Sequence, residues 1–414
     1  MDDKTLNDIA EEFNTPLYVY DTQKILSQYE LLKNSLPEEF GIFYSMKANP
    51  LLGICQLFEK MGSGIEAASS GELHTALAAG FPPERIVFTS PGKTVDELEY
   101  AIESGICSIN IECLDEARII NDIAMKKSRK VDISIRINPD FDVSGSGIKM
   151  SGVPTQFGID QILLDDAFDQ LNSFSNVTVI GLHIYTGTQV LHAHNILLSM
   201  EQIIKLALEL SEKYHFELKF LDLGGGFGIP YFKDEIYLDM DILSSGFAGM
   251  WDKYKGRLAK TKVFVESGRF LVAEAGTYLI KVLYKKACKG KKYVVCDGGS
   301  NQHASSAFLG RHIRNNFPMH VLNKTGNEED INVVGPLCTP TDIIGQNVKL
   351  PEMVPGDIVA IEKSGAYGIT QSPGLFLSHP LPAEVQYYAG KTTILRERGK
   401  MEDFLKGQAG IEII

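Results

Sequence analysis

The chain has 414 residues, 44% hydrophobic and 22% charged, and its 40 Lys and Arg against 53 Asp and Glu give a formal net charge of −13. This is ordinary globular composition in a chain longer than one hydrophobic core usually supports, so about two domains are expected and wholesale disorder is excluded. The acidic balance argues against a nucleic-acid surface, which needs clustered Lys and Arg, and leaves a small-molecule or protein partner.

The N-terminus, Met1-Asp2-Asp3-Lys4, lacks the basic start and apolar core of a signal peptide. No apolar run nears the ~18 residues that cross a bilayer, so a cytoplasmic protein with no membrane segment is expected. The six cysteines, Cys55, Cys107, Cys113, Cys288, Cys296 and Cys338, show no paired spacing. Neither a disulfide framework nor a zinc site is indicated, and no metal is expected.

Leu17-Tyr18-Val19-Tyr20 is a short β-rich run isolated near the N-terminus. From residue 40 onward one pattern repeats, a short β-rich run followed by a longer stretch of helical periodicity. The runs are Ile42 to Lys47, Ile65 to Ala68, Arg85 to Ser90, Ile106 to Ile111, Val131 to Ile137, Val177 to Tyr185, Leu218 to Leu223, and Lys262 to Glu266. Thr94 and Glu97 have capping-box spacing, while Gly80 and Gly105 stand where helices stop. Eight successive βα units predict an α/β protein built on a (β/α)8 barrel, here over residues 26–270. After Arg269 the segments Thr277 to Tyr284, Lys292 to Cys296 and Asp357 to Ile361 are β-rich and broken by Gly and Pro. They predict a C-terminal β domain over 271–414, which the Leu17 run can join, making that domain discontinuous with residues 1–25.

In such barrels chemistry gathers at the C-terminal ends of the strands. Lys47 closes the first run among uncharged neighbours; either it is a snorkelling surface lysine, or lost solvation favours its neutral amine as a Schiff-base nucleophile. The seventh run ends in Gly224-Gly225-Gly226 and the eighth in Glu266-Ser267-Gly268-Arg269. Loops after strands seven and eight are the habitual phosphate site of these barrels, although a glycine cluster can equally be a tight turn. Glu266 either pairs with Arg269 or faces the ring nitrogen of a pyridine cofactor, keeping it protonated as an electron sink. The sixth run ends in His183-Ile184-Tyr185-Thr186-Gly187-Thr188, where the aromatic ring either stacks on a cofactor or fills core and the Thr188 hydroxyl can reach a phosphate.

Together these residues resemble the fold type III pyridoxal-phosphate decarboxylases, the alanine-racemase-like group that contains diaminopimelate, ornithine and arginine decarboxylases. Tyr44 to Asn49 match its Tyr-x-x-Lys-Ala-Asn motif, Gly224 to Gly226 its phosphate loop, Glu266 to Arg269 its Glu-Pro-Gly-Arg motif, and Gly365-Ala366-Tyr367 its Gly-Ala-Tyr motif. The resemblance implies that pyridoxal 5'-phosphate is bound at Lys47, with Glu66, Arg136 and Glu266 around its ring. It implies further that Tyr185, with His183 nearby, replaces the ring-stacking histidine, and that Thr188, Gly225, Gly226, Gly268, Arg269 and Tyr367 hold the phosphate. Cys338 matches a cysteine that family members donate from the partner subunit to protonate the α-carbon, which implies a homodimer with shared active sites.

The charged residues that hold the far end of a free substrate in this family are missing. Ser305-Ser306 stand in place of an Arg-Pro pair, Thr339 replaces an acid, and Leu375-Phe376 replace a Tyr-Asn pair. Without them a buried zwitterionic end would go unpaired. The pattern resembles the L-glutamyl-[acyl-carrier protein] decarboxylase subgroup, which implies a glutamyl-like aminoacyl substrate tethered to an acyl-carrier protein; a free amino acid, diaminopimelate first, is the alternative, and racemisation a lesser one. The phosphate of a carrier arm needs cations, and His303, Arg311, His312 and Arg314 are candidates, with a solvated basic helix face as the plain alternative.

Overall fold

The computed structural model describes residues 1–141, 152–307 and 315–411, with the backbone of 148–149. The chain divides into two units, one of residues 28–230 with 235–270, the other of residues 1–27, 231–234 and 271–414.

The first unit is the barrel. Its strands are β1 (Phe40–Ser45), β2 (Gly64–Ala67), β3 (Ile86–Thr89), β4 (Ser108–Ile111), β5 (Val131–Asn138), β6 (Val177–His183), β7 (Phe220–Asp222) and β8 (Lys262–Ser267). Each pairs in parallel with the next, β8 pairs with β1, and the ring is closed. The expected (β/α)8 barrel is therefore present. Helices follow the strands because the intervening segments carry start and stop signals. Thr94 and Glu97 form the reciprocal capping box that opens helix Val95–Ser104, and Gly105 ends it in the left-handed region at φ 68°.

Phe43, Val87, Ile180 and Phe220, with the partly buried Phe264, form an apolar cluster drawn from five strands. The rings of Phe43 and Phe264 stack with centroids 4.3 Å apart. Space for them comes from Gly41 and Gly64, where a Cβ would stand 2.4 Å from the Phe264 and Phe43 rings respectively. Such alternation of large and absent side chains packs the barrel interior, leaving the strand ends for polar groups.

In the second unit Leu17–Asp21 pairs antiparallel with Gly276–Cys288 and parallel with Ala383–Tyr388, at the centre of a nine-stranded sheet. Leu6, Ile9 and Ala10 of helix Asp3–Phe13 pack with Leu17, Val19, Leu279, Ala360 and Val385 in one cluster. Among the described residues, no helix is long and apolar enough to cross a membrane.

Candidate active site

β1 runs into a single 3-10 turn, Met46–Ala48, which sets Lys47 just beyond the strand. The parallel register places Ser45 opposite Glu66, so the acid at the end of β2 faces the lysine. Lys47 Nζ donates to Glu66 Oε1 at 3.1 Å and Oε2 at 3.2 Å, and stands 5.6 Å from the centre of the Tyr185 ring. The Lys47 side chain is 41% exposed, that of Glu66 2%. Of the two alternatives for Lys47 the apolar, desolvated setting is not found: ends of neighbouring strands converge here, and they bring a carboxylate to the amine that the local sequence does not reveal.

Arg136, in β5, is buried and gives its guanidinium to Glu112 Oε1 at 2.7 Å while lying 4.6 Å over the Phe157 ring. Glu112 follows β4 directly, and its other oxygen accepts the Gly158 N–H at 2.6 Å. The two ion pairs therefore stand on adjacent strand ends, β1 with β2 and β4 with β5.

The ends of β6, β7 and β8 bring together His183, Asp222 and Glu266, all buried. His183 Nε2 lies 3.3 Å from Glu266 Oε1, and one donor atom from each of the three residues lies within 4.8 Å of the others. Burial alone would raise the affinity of Glu266 for a proton; His183 first, then Lys47 and Arg136, outweigh it and hold the carboxyl at about 2. Asp222 goes the other way, raised well above the carboxylate range by burial and then by the charge of Glu266. His183 Nδ1 and Nε2, Asp222 Oδ2 and Glu266 Oε1 are buried and find no hydrogen-bond partner among the described residues. Buried polar atoms are otherwise nearly always satisfied, so this floor is suited to receive a polar ring.

Gly224-Gly225-Gly226 follows β7. At Gly225 a Cβ would stand 2.1 Å from the Glu266 carbonyl oxygen, and at Gly226, held at φ +96°, it would stand 2.6 Å from the Gly187 carbonyl oxygen. Only glycine fits here, and the bare backbone lets an anion approach its N–H groups. Gly268 touches the β1 end in the same way, a Cβ there falling 2.7 Å from the Ser45 carbonyl oxygen. Arg269 follows at once, opening the short helix Arg269–Val272. Thr188 lies in the two-residue strand Gly187–Thr188, half-buried.

The remaining candidates belong to the β unit. Cys338 is exposed, and Thr339, half-buried, pairs its Oγ1 with that of Thr341 at 2.9 Å. Tyr367 is held at φ 55° and its carbonyl accepts the Ser305 hydroxyl at 3.0 Å. Phe376 is 44% exposed between Leu375 and Leu377, which are exposed as well. His303 requires a correction. It has no exposed surface, its Nδ1 accepts the Ser306 N–H at 3.1 Å, and its Nε2 lies 2.9 Å from Ser364 Oγ. Burial pushes the imidazole down to about 4, so His303 is a neutral core residue and no cation for a phosphate. Arg311, His312 and Arg314 lie outside the described residues.

Three buried acids beside these candidates are not singled out in the sequence. Glu112 and Asp222 end strands four and seven, so inspecting the ends of all eight strands would have found both. Asp342, buried, accepts the N–H groups of Ser300 at 2.7 Å and Leu337 at 2.8 Å and so anchors the loop carrying Cys338; no sequence signal marks it.

Comparison with known proteins agrees with this geometry. The pyridoxal-binding domain of pyridoxal-dependent decarboxylases matches residues 22–273. L-glutamyl-[BtrI acyl-carrier protein] decarboxylase of Niallia circulans is similar at 38% identity, covering 100% of this chain and 98% of that protein. Diaminopimelate decarboxylase of Methanothermobacter thermautotrophicus is similar at 32% identity over 97% of this chain and 93% of its own length. Among solved structures, diaminopimelate decarboxylase of M. jannaschii in complex with L-lysine superposes with a TM-score of 0.90 at 28% identity, covering 98% of this chain and 94% of that one.

Proposed function

This chain belongs to the pyridoxal-dependent decarboxylases, and we propose that its substrate is an L-aminoacyl group, glutamyl-like, whose far end is bonded to an acyl-carrier protein. The carrying observation is the uncharged set of side chains where a free diamino acid would need partners. Ser305 Oγ is bonded to the Tyr367 carbonyl, Ser306 Oγ to the His303 carbonyl and Thr339 Oγ1 to Thr341, while Leu375 and Phe376 are apolar. Placing a distal ammonium and carboxylate against such groups would cost several kcal/mol, of order 1–3 per unpaired group. The full-length likeness to a decarboxylase named for a carrier-bound glutamyl group supports the same reading.

Pyridoxal 5'-phosphate, when bound, supplies the electron sink for cleavage of the bond between the α-carbon and its carboxylate. The residues present fit it. Lys47 offers the amine, oriented by Glu66, and Glu266 offers a buried anion for the ring nitrogen. Tyr185 and His183 would flank the ring, Arg136 is held by Glu112, and the N–H groups of Gly225, Gly226 and Gly268, with Arg269 and Thr188, would hold the phosphate. Glu266 would keep a proton at the ring nitrogen, because His183, Lys47 and Arg136 outweigh burial and favour its anionic form. Cys338, exposed in the single chain, hands a proton to the α-carbon of a substrate bound to the partner subunit, so the working unit is a homodimer. The phosphate of the carrier's arm meets Arg311 and Arg314 rather than His303. A cytoplasmic location belongs to this reading, consistent with six free cysteines.

The test is carbon dioxide release from the purified enzyme given glutamyl-loaded carrier protein or free diaminopimelate. Release from the loaded carrier alone is expected. Release from diaminopimelate alone would replace this reading with the free amino-acid decarboxylase that the other relatives support.

A further inference from the structure

The end of β7 carries an acid that none of these roles uses. Asp222 is fully buried. Its Oδ1 accepts the Gly224 N–H at 2.9 Å, and the Gly224 carbonyl accepts the Glu266 N–H at 2.8 Å, so one glycine ties the two acidic residues together. The Asp222 carbonyl accepts the Ile184 N–H at 3.2 Å, which fixes the strand end on its other side. Asp222 Oδ2 and Glu266 Oε1 find no hydrogen-bond partner among the described residues, and the two carboxyl groups and the His183 ring each present an atom within 4.8 Å of the others.

Two carboxylates this close and this buried do not both stay ionised; the proton settles on the one whose surroundings favour the anion less. His183, Lys47 and Arg136 act on Glu266 and favour its anion. Asp222 is faced by Glu266 and Glu66, and the Gly224 N–H is the main group favouring its anion. The asymmetry assigns the proton.

We infer that Asp222 is a positioning residue, a neutral carboxylic acid that donates its proton toward Glu266 and fixes that carboxylate as the anion opposite the cofactor's ring nitrogen. The inference rests on the role proposed for Glu266. A hydrogen bond donated to an anion lowers its affinity for a further proton. Glu266 is thereby kept from drawing the proton off the ring nitrogen, and its carboxylate is held in one orientation.

Asp222→Asn retains a neutral donor, an acceptor for the Gly224 N–H and the side-chain volume; Asp222→Ala retains none of these. In the cofactor-free protein at neutral pH, infrared difference spectra between wild type and Asp222→Asn should show the carbonyl stretch of one protonated carboxylic acid, lost in the variant. In the loaded enzyme Asp222→Ala should weaken cofactor binding by roughly 10- to 100-fold, the loss of a hydrogen bond to a charged group, and Asp222→Asn should recover most of it. Absence of the infrared band, or an Asn variant as impaired as the Ala variant, would overturn the inference. Should the Ala variant not fold, the infrared band and the Asn variant decide by themselves. Glu266→Gln is measured alongside: a cofactor absorbance spectrum unchanged there from pH 6 to 9 (roughly the range in which the ring proton matters) would sink the premise about Glu266 even with the infrared band present.

Discussion

At the barrel's strand ends Glu66, Arg136, Glu112, His183 and Glu266 are all buried; Glu66 faces Lys47, Glu112 faces Arg136, and Glu266 lies 3.3 Å from the His183 ring. The β unit buries its polar rings in another way. Tyr18 and Tyr278 donate to the Gln302 carbonyl and side chain at 2.7 Å each, His303 stacks beside them, and burial holds all three neutral by pushing the phenols up and the imidazole down. Buried opposed charges cost stability but set up a field before any ligand arrives, which is what an electron-sink cofactor requires. Buried neutral rings make a stiff frame with no field. In the β unit Cys338 and the apolar trio Leu375 to Leu377 lie exposed.

The comparison breaks first at Lys47. If the barrel needs the amine and not merely a cation for Glu66, Lys47→Arg should be as inactive as Lys47→Ala, with decarboxylation down by roughly 10^3-fold or more and the bound cofactor's absorbance altered in both. Recovery in the Arg variant would reduce Lys47 to a charge partner.

Cys338 tests the other side. Cys338→Ala should slow carbon dioxide release by roughly 10^2-fold, the usual worth of a positioned proton donor. Mixing Cys338→Ala chains with Lys47→Ala chains should then regain about a quarter of wild-type activity, because random pairing in a twofold dimer restores one intact site in half of the molecules. No recovery on mixing, with dimers shown to exchange, would place the cysteine in the same chain as its lysine.

These outcomes bear on how far the sequence could be read. The barrel was legible because strand length, helical periodicity and caps such as Thr94 with Glu97 are local, and the rule that chemistry follows strand ends singles out Lys47, the glycine run and Glu266 as candidates. Glu112 and Asp222 obey the same rule, but a carboxylate acquires meaning only from its neighbour across the ring, Arg136 or Glu266, and that register is tertiary. The environment of Lys47 was not legible for the same reason, since Glu66 approaches from the next strand. His303 looked like a cation near Arg311 because nothing local shows that Tyr18, from the far end of the chain, and Phe317 close over it.

His303 also gives the smallest and cleanest test of the neutral half of the comparison. Its imidazole titrates at about 4 in the folded protein against 6.5 when unperturbed. Below pH 6.5 the unfolded chain therefore takes up a proton that the folded protein refuses, and stability falls with pH through the window from 6.5 to 4. Between pH 7 and pH 5 this residue should remove about 2 kcal/mol of unfolding free energy. His303→Asn can still accept the Ser306 N–H but cannot be protonated. It should be less stable than wild type at pH 7, having lost the Ser364 contact and the ring packing. Its denaturant-unfolding free energy should nevertheless fall about 2 kcal/mol less between those pH values. An identical pH dependence in the two proteins would mean that His303 carries its proton inside the fold, and the β unit would then bury charge as the barrel does.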